Sequence, residues 1–225
     1  WLLDLVVADA SDRVLRGLDV ANMLNMYPKI NAVIDKMDFN SIGSDRKAVL
    51  QELIDFIQKK KDTRSPILLN FICTHNSRRS QLSQLWAQVA SYYFKIPVSS
   101  YSGGVEVTAF NERAVASLER FGFQVSKKGE DNPMYSVQWV EGEAPFEMYS
   151  KLYDDPKNPS SGFAAVMTCS HADEDCPVLV GCEQRIPIRY KDPKYYDDSP
   201  LEVTFYDYRS FEIATELFYV FSKIK

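Results

Sequence analysis

The chain of 225 residues is poor in cysteine, glycine and histidine, with four, nine and two of them respectively. Four cysteines are too few for the dense disulfide framework of a small secreted protein. In a reducing compartment, cysteines that fall within sequence motifs indicate chemistry or metal binding instead. The positions of the four cysteines are therefore the main question that the sequence poses.

The chain also lacks an excess of basic residues, because 26 lysines and arginines are outnumbered by 31 aspartates and glutamates. The net charge is −5. Nucleic-acid-binding domains normally carry a basic face, so we expect no nucleic-acid partner. One basic run, Lys59-Lys60-Lys61, lies at the end of a predicted helix, where cations stabilise the helix dipole.

Long hydrophobic runs are missing as well. No apolar stretch approaches the roughly 20 residues that a membrane-spanning helix needs, so we expect no membrane partner and a cytoplasmic location. The hydrophobic content of 45% and the charged content of 25% are ordinary for a folded globular chain. The length is sufficient for one domain with an appendage.

Hydrophobic periodicity predicts an alternation of strands and helices. Short apolar runs predict buried strands at 67–72, 98–101, 163–168 and 185–188. Apolar residues spaced three and four apart predict helices at 44–61, 79–94, 114–121 and 205–224. This alternation is typical of βαβ units, so we expect an α/β fold in which helices flank a four-stranded parallel sheet.

Two stretches fall outside the alternation. We interpret residues 1–64 as an N-terminal helical extension and residues 65–225 as the main domain. Within that domain, residues 124–162 contain an acidic turn at Glu141-Gly142-Glu143 and a loop at 154–159 that is rich in aspartate and proline. These features predict an inserted hairpin and surface loop.

The segment between the first predicted strand and its helix reads Cys73-Thr74-His75-Asn76-Ser77-Arg78-Arg79-Ser80. Ligands of open α/β sheets bind at the carboxyl ends of strands, and a helix N-terminus offers free N–H groups to an anion. The same position favours the thiolate form of a cysteine. The spacing of Cys73 and Arg79 lets the loop amides surround an oxyanion while the arginine supplies a two-pronged donor.

We therefore predict Cys73 as a nucleophile and Arg79 as the oxyanion clamp. Ser80 is suited to hydrogen-bond the thiolate, and Asn76 to hold the shape of the loop. The predicted oxyanion-binding loop is completed by Thr74, His75, Ser77 and Arg78. The alternative is that Cys73 is only a small buried hydrophobic residue. The strand before it and the helix after it favour the chemical interpretation.

This loop resembles that of the low-molecular-weight protein tyrosine phosphatases and the thioredoxin-coupled arsenate reductases. The resemblance runs from about residue 67 to the C-terminus. Besides the loop, it rests on Ser102-Gly103-Gly104, Asn111-Glu112-Arg113-Ala114-Val115 and Asp192-Pro193. It implies a catalytic domain over residues 65–225, a sheet of strand order 2-1-3-4 and no cofactor. His75 stands where the family loop usually has glycine, and Arg78 where many members have a second cysteine.

A second motif, 168–177, follows the third predicted strand, so Cys169 should leave the sheet at the same edge as Cys73. It is similar to the redox segment of the arsenate reductases. The resemblance implies that Cys73 attacks arsenate, that Cys169 attacks Cys73 to release arsenite, and that Cys176 then forms a disulfide with Cys169, which thioredoxin reduces. We expect the acidic segment between Cys169 and Cys176 to be flexible, and we interpret Cys182 as a bystander thiol.

The pair Asp192-Pro193 follows the fourth predicted strand, where the family has its general acid. The resemblance therefore implies that Asp192 protonates the leaving oxygen. It also implies that Tyr195 and Tyr196 wall the cleft, although aromatic packing explains two tyrosines equally well.

Three functions remain open at this point. The first is an arsenate reductase re-reduced by thioredoxin, and the second is a tyrosine phosphatase that hydrolyses phosphomonoesters through a phosphocysteine. The third is a zinc-binding or non-catalytic anion-binding module, since His75 and His171 lie beside motif cysteines. Cys169 and Cys176 favour the reductase. Zinc ranks below both enzymes because no paired C-x2-C motif is present.

Overall fold

The structure is a computed structural model, which describes residues 25–175 and 179–225. These residues form seven strands and six α-helices. The strands are β1 Ile67–Cys73, β2 Val98–Gly104, β3 Gln124–Lys128, β4 Met134–Gln138, β5 Phe146–Met148, β6 Phe163–Met167 and β7 Cys182–Ile186. The helices are α1 Pro28–Ile34, α2 Ser44–Asp62, α3 Arg79–Phe94, α4 Glu112–Phe121, α5 Ser170–Asp175 and α6 Glu202–Ser222.

Four of the strands form the central sheet, in the order β2-β1-β6-β7. All neighbours within it are parallel. Counting the parallel strands alone, the order is 2-1-3-4. The predicted α/β class, the parallel sheet and its strand order are therefore confirmed.

The helix boundaries follow from local sequence. In α2, Asp45 lies in the first turn and Lys59, Lys60 and Lys61 lie in the last, so the charges complement the helix dipole at both ends. The Asn111 side chain caps α4 by accepting a hydrogen bond from the Arg113 backbone N–H at 3.0 Å. The same helix ends at Gly122, whose φ of 102° is left-handed.

The two faces of the central sheet are covered differently. A large apolar cluster joins α2, α3 and α6 to one face and includes Leu53, Phe71, Trp86 and Leu217. The opposite face carries a smaller cluster, which consists of Ile72, Cys73, Phe163, Ala165, Met167, Cys169 and Ala172. The fold thus brings two of the motif cysteines into one buried group, which we call the thiol cluster.

The register of the central strands explains this convergence. Ile72 of β1 pairs with Met167 of β6 in a parallel ladder. The Thr168 backbone N–H then donates to the Ile72 carbonyl at 2.8 Å. Because parallel strands end at the same edge of a sheet, Cys73 and Cys169 emerge next to each other immediately beyond this last rung.

Three predicted segments differ from the structure. The fourth parallel strand spans 182–186 rather than 185–188, because Pro187 has no N–H to give to a ladder. The predicted hairpin is a three-stranded antiparallel sheet of β3, β4 and β5. Its first strand, Gln124–Lys128, was not predicted because its side chains are mostly polar and exposed.

The third difference concerns the acidic segment, for which the sequence analysis predicted no helix and which is helical over α5. The thiol of Cys169 precedes this helix and accepts a hydrogen bond from the Ala172 backbone N–H at 3.3 Å, as an N-cap side chain does. Ala172 is fully buried in the thiol cluster, and this packing also stabilises the turn. Cys176 and residues 1–24 of the predicted extension lie outside the described residues.

None of the helices in the described part of the chain combines the length and the apolar character that crossing a bilayer requires.

Candidate active site

Cys73 is the last residue of β1 and is 3% exposed. Its sulfur lies 3.0 Å from the hydroxyl oxygen of Ser80, which is fully buried in the first turn of α3. The first hydrogen bond of that helix runs from the Leu82 N–H to the Arg78 carbonyl. The N–H groups of the preceding turn lie before this ladder, so they are available to an anion beside the thiol.

Asn76 organises the loop between the strand and the helix. It is fully buried and adopts a left-handed φ of 45°, which asparagine tolerates better than most residues. Its side-chain amide donates to the Ser80 hydroxyl at 2.8 Å, and its Oδ1 accepts from the Lys151 backbone N–H at 2.9 Å. His75 is not among the residues with positive φ, so the loop turns at Asn76 and does not require glycine at the preceding position.

The end of β2 lies directly against the same loop. The Glu106 backbone N–H donates to the Thr74 carbonyl at 2.8 Å. A Cβ atom on Gly104 would lie 2.7 Å from the Asn76 nitrogen and 2.8 Å from the Thr74 oxygen. Only glycine permits this approach, which explains why Ser102-Gly103-Gly104 ends in glycine where it packs against the loop.

His75 and Ser77 attach the outer part of the loop to its neighbours. The imidazole of His75 lies 3.2 Å from the carboxylate of Glu106 in an exposed contact. The carbonyl of His75 accepts from the Ser150 hydroxyl at 3.0 Å, and the Ser77 hydroxyl donates to the Ala109 carbonyl at 2.7 Å. Both residues therefore serve the shape of the loop through hydrogen bonds.

Arg79 lies between the loop and the residue predicted as the acid. Its Nη2 donates to Asp192 Oδ2 at 2.7 Å, and its Nη1 donates to the Tyr190 carbonyl at 3.1 Å. Its Nε is buried and has no hydrogen-bond partner among the described residues. The structure thus places Arg79 and Asp192 together in an ion pair and leaves the buried Nε–H of the guanidinium without a partner among the described residues.

Arg78 points to a different set of partners. Its Nε donates to the Tyr206 hydroxyl at 2.7 Å, and its Nη2 lies 3.3 Å from Asp197. The Tyr206 hydroxyl in turn donates to Asp197 at 2.8 Å. Burial and this hydrogen bond raise the pKa of Tyr206. Arg78 therefore connects the loop to α6 and to the segment that follows Asp192.

Cys169 is 2% exposed and lies beside the oxyanion loop. Its sulfur is 3.5 Å from the hydroxyl of Thr74, the residue next to Cys73. Cys182 packs against the thiol cluster from outside, and its thiol donates to the Gln184 carbonyl at 3.1 Å. All three of these cysteines are free thiols. The structure therefore brings Cys73 and Cys169 together and keeps Cys182 near them.

A buried lysine that sequence reasoning missed lies under the loop. Lys151 is 6% exposed, and its carbonyl accepts from the Gly104 N–H at 2.9 Å. Burial lowers the pKa of Lys151 to about 8, although the charge of Asp155 opposes the shift. Its ammonium group lies 5.0 Å from the centre of the Tyr149 ring. No sequence motif marks this lysine, because its role depends on the fold.

Two clefts open near the candidate site, one beside the loop and one beyond Asp192. One, of about 420 Å³, is lined in part by His75, Ser77 and Arg78. The other, of about 610 Å³, lies beyond Asp192 and includes both Tyr195 and Tyr196 in its lining. Tyr195 is 86% exposed, and Tyr196 stacks on Phe205. The cleft that the two tyrosines line includes Asp192 but none of residues 73–80, so their role at the site stays a prediction.

The zinc hypothesis was based on His75, His171 and the motif cysteines. Within residues 25–175 and 179–225, no group of three or more histidine, cysteine, aspartate and glutamate side chains is arranged to hold a metal ion. In this structure His75 contacts Glu106 instead.

These observations define a class: an α/β protein in which a thiol, a guanidinium and a helix N-terminus converge at one edge of a parallel sheet. No protein-family model matches the chain. Arsenate reductase 2 of Staphylococcus haemolyticus is 30% identical over 111 residues, which cover 48% of this chain and 65% of the relative. The match thus spans less than two thirds of that relative's own length.

An arsenate reductase of Halalkalibacterium halodurans is 24% identical over 126 residues, which cover 56% of this chain and 73% of the relative. Among solved structures, a low-molecular-weight phosphotyrosine phosphatase of Vibrio cholerae O395 is 13% identical with a TM-score of 0.45. That alignment covers 67% of this chain and 92% of the phosphatase. The curated relatives confirm the predicted resemblance to the family of low-molecular-weight phosphatases and arsenate reductases.

Proposed function

We propose that this protein is an arsenate reductase that works through a relay of cysteines and is re-reduced by thioredoxin in the cytoplasm. The observation that carries the proposal is the position of Cys73 and Cys169 in one buried cluster at one sheet edge, with Thr74 in contact with the second thiol. The arsenate reductases among the curated relatives support it.

In the first step, arsenate binds over the N-terminus of α3, where the loop amides and Arg79 hold its oxygens. The Cys73 thiolate attacks arsenic and forms a sulfur–arsenic bond. One arsenate oxygen leaves as water after Asp192 gives it a proton. Without substrate Asp192 is ion-paired with Arg79, and the incoming anion offers Arg79 a replacement partner.

In the second step, the Cys169 thiolate attacks the sulfur of Cys73. The electron pair of the sulfur–arsenic bond passes to arsenic, so arsenic is reduced to arsenite and a disulfide forms between the two cysteines. Because both thiols are buried in one cluster, the attacking sulfur of Cys169 starts near the sulfur of Cys73. A disulfide needs α-carbons within about 7 Å, which neighbouring strand ends favour.

In the third step, Cys176 attacks Cys169, which frees Cys73 and leaves a disulfide between Cys169 and Cys176. A dithiol of thioredoxin then reduces this disulfide and becomes oxidised itself. Cys176 lies outside the described residues, so its role rests on the resemblance of residues 168–177 to the redox segment of the reductases.

A tyrosine phosphatase is the second candidate. The same loop would hold a phosphomonoester, Cys73 would form a phosphocysteine, and Asp192 would protonate the leaving oxygen. The observation that favours this function is the cleft of about 610 Å³ beside Asp192, because its exposed Tyr195 offers a surface for an aromatic leaving group.

The substitution Cys169→Ser separates the two functions. With arsenate, thioredoxin, thioredoxin reductase and NADPH, we expect the variant to lose NADPH oxidation, because no second thiol can expel arsenite. Any hydrolysis of p-nitrophenyl phosphate should stay within about twofold of the parent, because Cys73 and its loop remain. Cys182→Ser is the matched control and should retain both activities.

Unchanged arsenate turnover in the Cys169→Ser variant would rule out the relay. A parent protein that hydrolyses p-nitrophenyl phosphate but does not reduce arsenate would make the phosphatase the better assignment. Metal analysis of the purified protein tests the third candidate, since stoichiometric zinc would place it above both enzymes.

A further inference from the structure

Arg46 of the predicted N-terminal extension contacts residues next to the candidate site. Arg46 lies in the first turn of α2, outside the part of the chain on which the family resemblance rests. Its guanidinium forms a two-pronged ion pair with Glu216 of α6, with both N–O distances 2.7 Å. Glu216 is 5% exposed. A two-pronged pair whose carboxylate is buried, although its guanidinium is 25% exposed, is more geometrically defined than a fully exposed salt bridge.

The same guanidinium covers the ring of Tyr190, with its central carbon 4.8 Å from the ring centre. Tyr190 is 6% exposed, and burial together with the charge of Glu216 raises its pKa, so the hydroxyl remains neutral. Burial lowers the pKa of Arg46, but the hydrogen bond to Glu216 and the neighbouring Tyr190 raise it above its ordinary value. Arg46 is therefore a permanent cation that fixes the Tyr190 ring from one side.

The backbone of Tyr190 lies on the other side of this contact, at the candidate site. Its carbonyl accepts the hydrogen bond from Arg79 Nη1 at 3.1 Å, and its N–H donates to the Thr168 carbonyl at 3.0 Å. Tyr190 thus contacts both the predicted oxyanion clamp and the residue before Cys169. Two residues further on, Asp192 holds Arg79 Nη2.

We infer that Arg46 is a positioning residue for Arg79 and acts through Tyr190. Arg46 holds the Tyr190 ring against Glu216, the fixed ring places the Tyr190 carbonyl, and the carbonyl orients the guanidinium of Arg79. This assigns a task to α2 that is separate from its contribution to the apolar core. The inference rests on the anion-binding role proposed for Arg79.

The test compares Arg46→Met with Arg120→Met. Arg120 is a suitable control because it also pairs two-pronged with a carboxylate of α6, Asp207, at 2.7 and 3.0 Å. No described contact leads from that pair to Arg79. Arg46→Lys is a second variant that keeps the charge but not the two-pronged geometry. If the Arg46→Met variant does not fold, Arg46→Lys still tests the positioning role of Arg46.

The first measurement is the NMR order parameter of the Arg79 Nε–Hε bond in the ligand-free protein, which needs no substrate. We expect a rigid value of about 0.85 in the parent and in Arg120→Met, and a value below about 0.6 in Arg46→Met, with Arg46→Lys between them. An unchanged order parameter in Arg46→Met, or an equal fall in the control, would overturn the inference.

The second measurement is the affinity for inorganic phosphate by calorimetry. We expect about tenfold weaker binding of phosphate in Arg46→Met and less than about twofold change in Arg120→Met. The reason is that a displaced Arg79 guanidinium makes weaker hydrogen bonds to the phosphate oxygens. Equal losses in the two variants would indicate a general effect on the fold and would contradict positioning. A parent that does not bind phosphate would contradict the proposed function, while the order parameters still decide the role of Arg46.

Discussion

The loop after β1 and the segment after β6 leave the same sheet edge, but different interactions hold them. In the first, the Asn76 amide links the Ser80 hydroxyl to the Lys151 backbone at 2.8 and 2.9 Å, and a left-handed turn sets its shape. In the second, the thiol of Cys169 has sulfur contacts of 3.3 Å to Ala172 and 3.5 Å to Thr74. Sulfur hydrogen bonds are weaker than those between oxygen and nitrogen.

This difference matches the two chemical tasks proposed for these segments. An oxyanion site works best when its donors are already in place, because no reorganisation is then needed during the reaction. A thiol that has to form bonds to two different partners in turn must exchange contacts at low energy. We therefore expect substitutions in the first loop to affect every reaction of the site, and substitutions in the second segment to affect reduction alone.

The largest effect should come from Cys73→Ser. A serine hydroxyl in this position is a far weaker nucleophile than a thiolate, so arsenate reduction and p-nitrophenyl phosphate hydrolysis should both fall by about 10³-fold or more. Steady-state assays of the two reactions measure this. If either reaction survives, the loop after β1 is not the common site of both.

Arg79→Lys should have the next largest effect, lowering kcat/KM about 10²-fold for both reactions, because an ammonium group cannot hold an oxyanion at two points. Arg78→Lys provides the matched comparison. Since Arg78 contacts Tyr206 and Asp197, its substitution should lower kcat/KM by less than about tenfold. Equal effects of the two substitutions would show that the clamp is shared between neighbouring arginines.

Asn76→Ala should destabilise the fold by about 2–3 kcal/mol, because it leaves buried hydrogen-bonding groups without a partner and places alanine at a left-handed φ. Asn76→Gly removes the same hydrogen bonds but tolerates the φ, so it should be about 1 kcal/mol less harmful. Urea unfolding of both variants separates the two contributions. Equal losses would assign the whole effect to the side-chain hydrogen bonds.

Lys151→Met should give the smallest change, and it should depend on pH. Below pH 8 the folded protein buries a charged lysine, so methionine should raise the free energy of unfolding by about 1–2 kcal/mol relative to the parent. As the pH rises from 8 towards 10.5, Lys151 is neutral in the folded chain but still protonated in the unfolded chain. The parent therefore gains stability, and the difference should shrink.

Unfolding curves of the parent and the Lys151→Met variant at pH 7 and pH 10 measure this effect. A difference that is independent of pH would mean that the side chain packs as a neutral group or reaches water in the folded state.

Local sequence patterns predicted the parts of the fold that local forces decide. Pro66 and the apolar run after it marked β1, and the three-to-four spacing from Arg79 to Phe94 marked α3. The pattern failed at β7. Because of the apolar residues around Pro187, the predicted strand began three residues later than the observed one. Hydrophobic spacing alone does not include the hydrogen bond that a proline is unable to donate.

The candidate site was predictable where its residues follow strand ends, as Cys169 does, or lie close together in sequence. Cys73, Arg79 and Ser80 fall within one strand–loop–helix unit, so their spacing carries the signal. Arg46 contacts Glu216 across 170 positions, and the Lys151 backbone contacts Asn76 across 75. Contacts at such separations depend on the complete fold, and neither residue type nor local periodicity indicates them.

The unequal cover of the sheet has a consequence for redesign. Three long helices cover one face with most of the aromatic and aliphatic core, while the thiol cluster on the other face is much smaller and mixes Ala165 and Ala172 with larger side chains such as Phe163. The larger apolar core and the chemistry proposed for the thiols therefore belong to opposite sides of a single sheet. We expect a combinatorial library on the thiol side to retain the fold more often than one on the helical side.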